Sequence, residues 1–311
     1  MLSLILANKI LSLFVIMALG FALVRSGIMK SKDCYGLSVV SLNIISPCMI
    51  ITAFQVDLTP EVQSGFLLAL LAGLIVQVMF SILAWVFGRI FHFDAVEKTA
   101  AIYSNAGNLI IPLVTAILGP EWVIYCTAYM CFQTLFMWSH GKCLLQNKPL
   151  SLRGTDWRGI LTGVNMVSVY VGLALFVTGL RLPGPIYDGV SMVGNLIGPV
   201  AMLITGIIMG GLDFRQLRSY KRIALPVTFR MVVFPLCALA VLKLTPLAAL
   251  SPNGTSVLLI TLLAAAGPTA STINQMAQIY DCNAGYASSI NVVTTLLCVV
   301  TMPLMVALYE L

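Results

Sequence analysis

Charge is what this sequence has least of. Its 311 residues include 17 Lys and Arg and 11 Asp and Glu, 9% of the chain, against 59% hydrophobic residues. A soluble domain carries about 25% charged residues. So few charges cannot cover a water-facing surface, which excludes an ordinary soluble domain. Acids are missing from the middle of every long apolar run, and all eleven fall between runs or near their ends, Glu97 and Asp281 included. That argues against proton antiport through a pair of buried carboxylates. Histidine is nearly absent: His92 and His140 are the only two, and there is no HExxH, GxSxG, GxGxxG or P-loop string. Those absences argue against an enzyme. The eight Cys form no CxxC pair and lie mostly inside apolar runs, as small hydrophobes do. No metal site and no cofactor are expected, with sodium or proton coupling left open.

Long uncharged runs are what the sequence has instead. A bilayer-spanning helix needs about 20 apolar residues. Runs of that order place ten segments at roughly 5–24, 36–55, 65–88, 97–117, 121–143, 159–179, 188–210, 222–243, 255–276 and 283–308. The first lacks an early positive charge and a small-residue cleavage site, so it reads as helix 1 and not as a signal peptide. The fold class is an all-α polytopic membrane protein whose main environment is the lipid bilayer. The loops after helices 1, 3, 5 and 7 hold 13 of the 17 basic residues. Cytoplasmic loops are enriched in Lys and Arg, so both termini are expected outside. The same asymmetry accounts for the net charge of +6 without a nucleic-acid partner.

The second half echoes the first. Asn43 to Pro47 reads "NIISP" and Asn195 to Pro199 reads "NLIGP", an offset of 152; Pro112 in "AGNLIIP" and Pro268 in "AAAGPTAS" are offset by 156. The expected division is a first five-helix repeat over 1–145, a linker loop over 146–158 and a second repeat over 159–311. Five is odd, so the repeats insert in opposite senses. Inverted repeats are typical of secondary transporters that alternate access around a midplane site.

Helices 4 and 9 carry breakers where an unbroken span would be easiest to build. A Pro inside a helix costs about 3 kcal/mol and frees a carbonyl. Lipid cannot satisfy that carbonyl, so such a break is tolerated only against protein or a wet cavity. A broken helix offers N–H groups to an anion at one new end and carbonyls to a cation at the other. Ser104, Asn105, Asn108 and Pro112 surround the first break; Pro268, Thr269, Ser271, Thr272, Asn274 and Gln275 surround the second. These form the candidate site, against the plainer reading of a Pro kink with small packing residues. Asn43, Pro47, Asn195 and Pro199 either line the substrate path or kink their helices. Arg230 is the one formal charge well inside a segment, either a partner for an anionic substrate or a snorkelling side chain. At the repeat offset its counterpart is near Gln77. The GxxxG strings at Gly159–Gly163, Gly194–Gly198 and Gly206–Gly210 predict tight packing of helices 6 and 7.

At these residues the chain resembles a known family. "YSNAGNLIIPL", the following "LGPEWVIYCTAYMCFQTLFMWSHG", "RMVVFP" and the block from "AAAGPTASTINQ" to "VTMPLM" are similar to the auxin efflux carrier family, in its compact bacterial form related to the plant PIN-formed exporters. The resemblance implies ten helices in five-plus-five inverted repeats, with helices 4 and 9 crossing at Pro112 and Pro268, as in the sodium/proton-antiporter and bile-acid-symporter-like fold. It implies a scaffold domain of helices 1, 2, 6 and 7 that pairs in a homodimer, and a transport domain of helices 3–5 and 8–10 that moves like an elevator. It implies a bacterial inner-membrane carrier of small organic anions, malate- or malonate-like, with auxin-like acids as further candidates. Two alternatives stand beside it: a sodium-coupled bile-acid-symporter-like carrier, and a membrane sensor that keeps the fold without turnover.

Overall fold

In the computed structural model of the chain, residues 2–148, 157–211 and 220–311 are described, so the linker expected over 146–158 lies mostly outside the described residues. The described residues form helices joined by short connections, with one isolated antiparallel bridge. The helices are α1 (Leu2–Arg25), α2 (Ser31–Ala53), α3 (Pro60–Ile90), α4 (Ala95–Ile102), α5 (Ala106–Ile110 and Ile111–Ile117) and α6 (Val123–Phe136, continued by Met137–Gly141 and Lys142–Leu145). After a short turn at Trp157–Leu161 come α7 (Val164–Thr178), α8 (Gly184–Gly210), α9 (Ala224–Leu244), α10 (Gly254–Ala266), α11 (Ser271–Ile279) and α12 (Ala284–Glu310).

Each of the ten expected segments is occupied by helix, and the two expected to break do so: α4 and α5 divide one, α10 and α11 the other. Among the described residues six helices are long and apolar enough to cross a membrane: α1 (from Asn8), α2, α3, α8, α9 and α12. The remaining segments are shorter, broken, or diluted by polar residues such as Gln133 and Ser139 in α6.

Local chemistry sets the ends. The Thr59 hydroxyl accepts from the Val62 N–H, Pro60 opens α3 and Arg89 closes it. Asp94 and Glu97 form a reciprocal capping box on α4. Three prolines follow π-turns at the same spacing. The turns Ser41–Ile45, Ala106–Ile110 and Phe229–Val233 each end two residues before a proline, namely Pro47, Pro112 and Pro235. A wider turn accommodates the missing N–H and the ring without ending the helix.

Loop contacts gather at two ends. At one, Arg222 donates to the carbonyls of Phe91 and His92, and the Cys282 thiol donates to the Leu145 carbonyl. At the other, Leu182 N–H donates to Gln55, Arg181 pairs with Asp57, Ser64 bonds Ser251, and Tyr309 donates to Thr255. Glycine lets α1 and α8 meet backbone to backbone. A Cβ on Gly206 would overlap the Met17 carbonyl, and one on Gly20 would overlap that of Leu203. Gly194 packs on the Met49 backbone of α2, and Gly198 meets the Pro112 ring of α5. The small residues of the seventh expected segment therefore serve contacts with α1, α2 and α5, while Gly159 and Gly163 border a cavity.

Candidate functional site

The two broken helices meet at their breaks. Extended backbone at Ser104 lies antiparallel to that at Thr269. Asn105 N–H donates to the Pro268 carbonyl at 2.7 Å, and Ala270 N–H donates to the Tyr103 carbonyl at 2.9 Å. A scrap of sheet thus replaces helical bonds lost at both breaks, the pairing that a lipid-embedded break needs.

The carbonyls at the end of α4 are then all accounted for. Thr99 accepts from Tyr103 N–H, and Ala100 accepts from the Thr269 hydroxyl at 3.0 Å. Ala101 and Ile102 accept from Nη1 of Arg230 at 3.1 and 3.2 Å. The same guanidinium reaches the end of α10, where Nη2 donates to Ala265 and Gly267 at 2.6 Å and Nε donates to Gly267 at 2.9 Å. Arg230 is fully buried, beside Phe80 and flanked by Phe229. It neither snorkels to an end of the molecule nor lines the cavity described below. It holds the negative ends of two half-helix dipoles together, one carried from each half of the chain.

A glutamine and an asparagine latch the two strands from behind. The Gln133 carbonyl oxygen accepts from both the N–H and the hydroxyl of Ser104, and its amide donates to the Ser104 carbonyl at 2.8 Å. On the other strand Asn291 of α12 donates to the Thr269 carbonyl, and Thr269 N–H donates to the Thr294 hydroxyl at 3.1 Å. None of these three was singled out from the sequence. The available signal was an amide or hydroxyl inside an apolar run of helix 5 or 10.

With the C-terminal ends capped, the N-terminal ends of α5 and α11 are left to face a cavity of about 450 Å³. Ser104, Asn105 and Asn108 from the first break and Thr272 and Gln275 from the second line it. Asn105 is the N-cap of α5, yet its side chain makes no capping bond. Asn108 donates to the Ser271 hydroxyl at 3.2 Å, tying the two N-termini together. Asn43 lines the same cavity from α2 while its amide donates to the Val39 carbonyl, so it both borders the cavity and ties back its own helix. Pro47 is buried beneath it. Pro112, Pro268, Thr269 and Ser271 shape the crossing without lining the cavity.

Asn195 and Pro199 are exposed on α8 and do not line the cavity. The helix bends there, at Asn195–Leu196, between Gly184–Gly194 and Ile197–Gly210. Gln77 is fully buried on α3, with neither amide atom hydrogen-bonded among the described residues. Among the described residues no Asp or Glu lines the cavity, whose wall combines amides and hydroxyls with methionines, Leu42, Val164, Trp138, Tyr280 and Lys142. Such a wall suits an anion with an apolar portion. His140 Nδ1 lies 3.1 Å from the Tyr103 hydroxyl, which donates to the Phe136 carbonyl.

A family model described as membrane transport protein matches residues 5–155 and 147–306, which together take in nearly all of the chain. A search of curated proteins returned no match.

Proposed function

Because this chain belongs to the membrane transport protein family of the auxin efflux carriers, we propose that it is a secondary transporter of small organic anions. The observation that carries the reading is the cavity at the crossing. Two half-helix N-termini border it, neutral amides and hydroxyls face into it, and among the described residues no carboxylate lines it. A carboxylate there is held by the positive ends of α5 and α11 and by hydrogen bonds from Asn105, Asn108 and Thr272. Malate- and malonate-like acids are the first candidates, with auxin-like acids next.

Arg230 is a positioning residue in this scheme. Carbonyls at a broken helix are where a coupling cation would bind, and four of them, Ala101, Ile102, Ala265 and Gly267, already accept from the guanidinium. That occupancy weighs against a sodium ion at the crossing, and so against the sodium-coupled alternative. The movement is of the elevator kind. Helices 3–5 and 8–10 carry the crossing past helices 1, 2, 6 and 7, the latter paired in a homodimer. The close approach of Gly198 to the Pro112 ring lies on that sliding seam.

The test is uptake of labelled malate into proteoliposomes, with and without imposed sodium and proton gradients. Saturable uptake indifferent to sodium supports the reading. Uptake strictly dependent on sodium would favour the bile-acid-symporter-like carrier. Saturable binding without flux would favour a sensor.

A further inference from the structure

The crossing accounts for how an anion would be held but not for how it would be drawn in, and one charged cavity residue has no part in the crossing. Lys142 is the one charged residue lining the cavity among the described residues. It is half-buried, and its ammonium makes no ion pair or hydrogen bond among them. A fully buried charge is ordinarily paired; this half-buried one faces a cavity instead.

The backbone aims it there. α6 lines the cavity through Met130, Gln133, Thr134, Met137 and Trp138, the spacing of one face of an α-helix. Continued at the same period, that face would next present Gly141. The π-turn Met137–Gly141 inserts one extra residue and rotates the face, so Lys142 takes the cavity position. Gly141 packs instead against the Tyr103 ring, where a Cβ would stand 2.9 Å from Cε2. Side chains on a helix lean towards its N-terminus, which here is towards the crossing. Along the helix Lys142 lies about 13 Å beyond Gln133, at 1.5 Å per residue. The cavity therefore has an uncharged anion cradle at the crossing, an apolar middle of Met137, Met166 and Trp138, and one cation towards its far end.

We propose that Lys142 is the specificity-determining cation of this transporter. It draws the carboxylate into the cavity and sets the preference for anions over neutral molecules of the same shape. The inference rests on the organic-anion reading above. A small acid held at the cradle meets Lys142 chiefly on its way in, so the residue acts on capture more than on turnover.

Initial rates of labelled malate uptake into proteoliposomes test this for the wild type and for Lys142→Gln, Lys142→Met, Lys142→Arg and Lys142→Glu across a range of ionic strength. Removing the charge should raise KM about tenfold, as a partly screened charge at this range predicts, with the maximal rate little changed. The Gln and Met variants should lose most of the salt dependence of uptake. Arg should restore both, and Glu should abolish uptake in a protein that remains monodisperse. Met keeps the stem volume should Gln fail to fold. Wild-type KM and salt dependence in the neutral variants would overturn the assignment. So would a lower maximal rate at unchanged KM that Arg does not rescue. If the wild type itself carries no organic anion, the organic-anion reading falls and this assignment falls with it.

Discussion

Ser104 and Thr269, one from each half of the chain, face each other across an antiparallel bridge, and each is latched by an amide from the next helix. Neither strand has any other neighbour to extend it into a sheet. The crossing therefore stands on side chains: Gln133 behind one strand, Asn291 and Thr294 behind the other, and Arg230 across both helix ends.

Replacing Arg230 by Met should be severely destabilising, by about 3 to 5 kcal/mol. It leaves buried carbonyls at the ends of α4 and α10 without donors, and each unpaired buried group costs about 1 to 3 kcal/mol. Arg230→Lys should recover little, because an ammonium cannot supply the planar fork that reaches both helix ends. Thermal unfolding of the detergent-solubilised protein measures this, and a wild-type melting temperature for either variant would contradict it.

Gln133→Leu removes three hydrogen bonds to Ser104 while keeping the volume. A loss of about 2 kcal/mol in stability is expected. Transport should fall with it, since Ser104 and Asn105 line the cavity. Retained transport at full stability would mean that the strand is held by the backbone bridge alone.

Asn108→Ala should separate function from folding. It removes one bond, to Ser271, and so should alter stability by no more than about 1 kcal/mol. It also removes a donor from the cradle, so uptake should fall about tenfold, the equivalent of 1.4 kcal/mol. Unchanged uptake would remove Asn108 from the site.

Two glycines on α8 should respond with opposite signs. Gly206→Ala drives a Cβ into the Met17 carbonyl and should destabilise by about 1 to 3 kcal/mol or more. Gly189→Ala meets nothing within 4 Å and lies within the helix. It should be neutral or stabilising by up to about 1 kcal/mol. A pair of melting curves decides it, and equal effects would show that the α1–α8 seam yields to a methyl group.

The sequence by itself determined the helices, the two breaks and the groups around them. Hydropathy is a property of a run, and Pro112, Gly267 and Pro268 alter their own backbone wherever the chain goes. The likeness of Asn43–Pro47 to Asn195–Pro199 was equally local, and it left open which of the two lines the cavity. Both strings interrupt regular α-helix, but only Asn43 borders the cavity, because α2 runs past the crossing while α8 turns its Asn195 and Pro199 outwards. Arg230 could be seen as an unusual charge, yet its four acceptor carbonyls come from helix ends brought together by the fold. The same holds for Gln133, whose amide matters only because Ser104 stands opposite. Lys142 looked like one more basic loop residue until a π-turn in α6 rotated it into the cavity. Covalent neighbours fix where a helix can start, bend or break. Which polar group meets which depends on helices distant in sequence, and in a low-dielectric interior that meeting decides whether a buried charge holds the fold together or waits for a ligand.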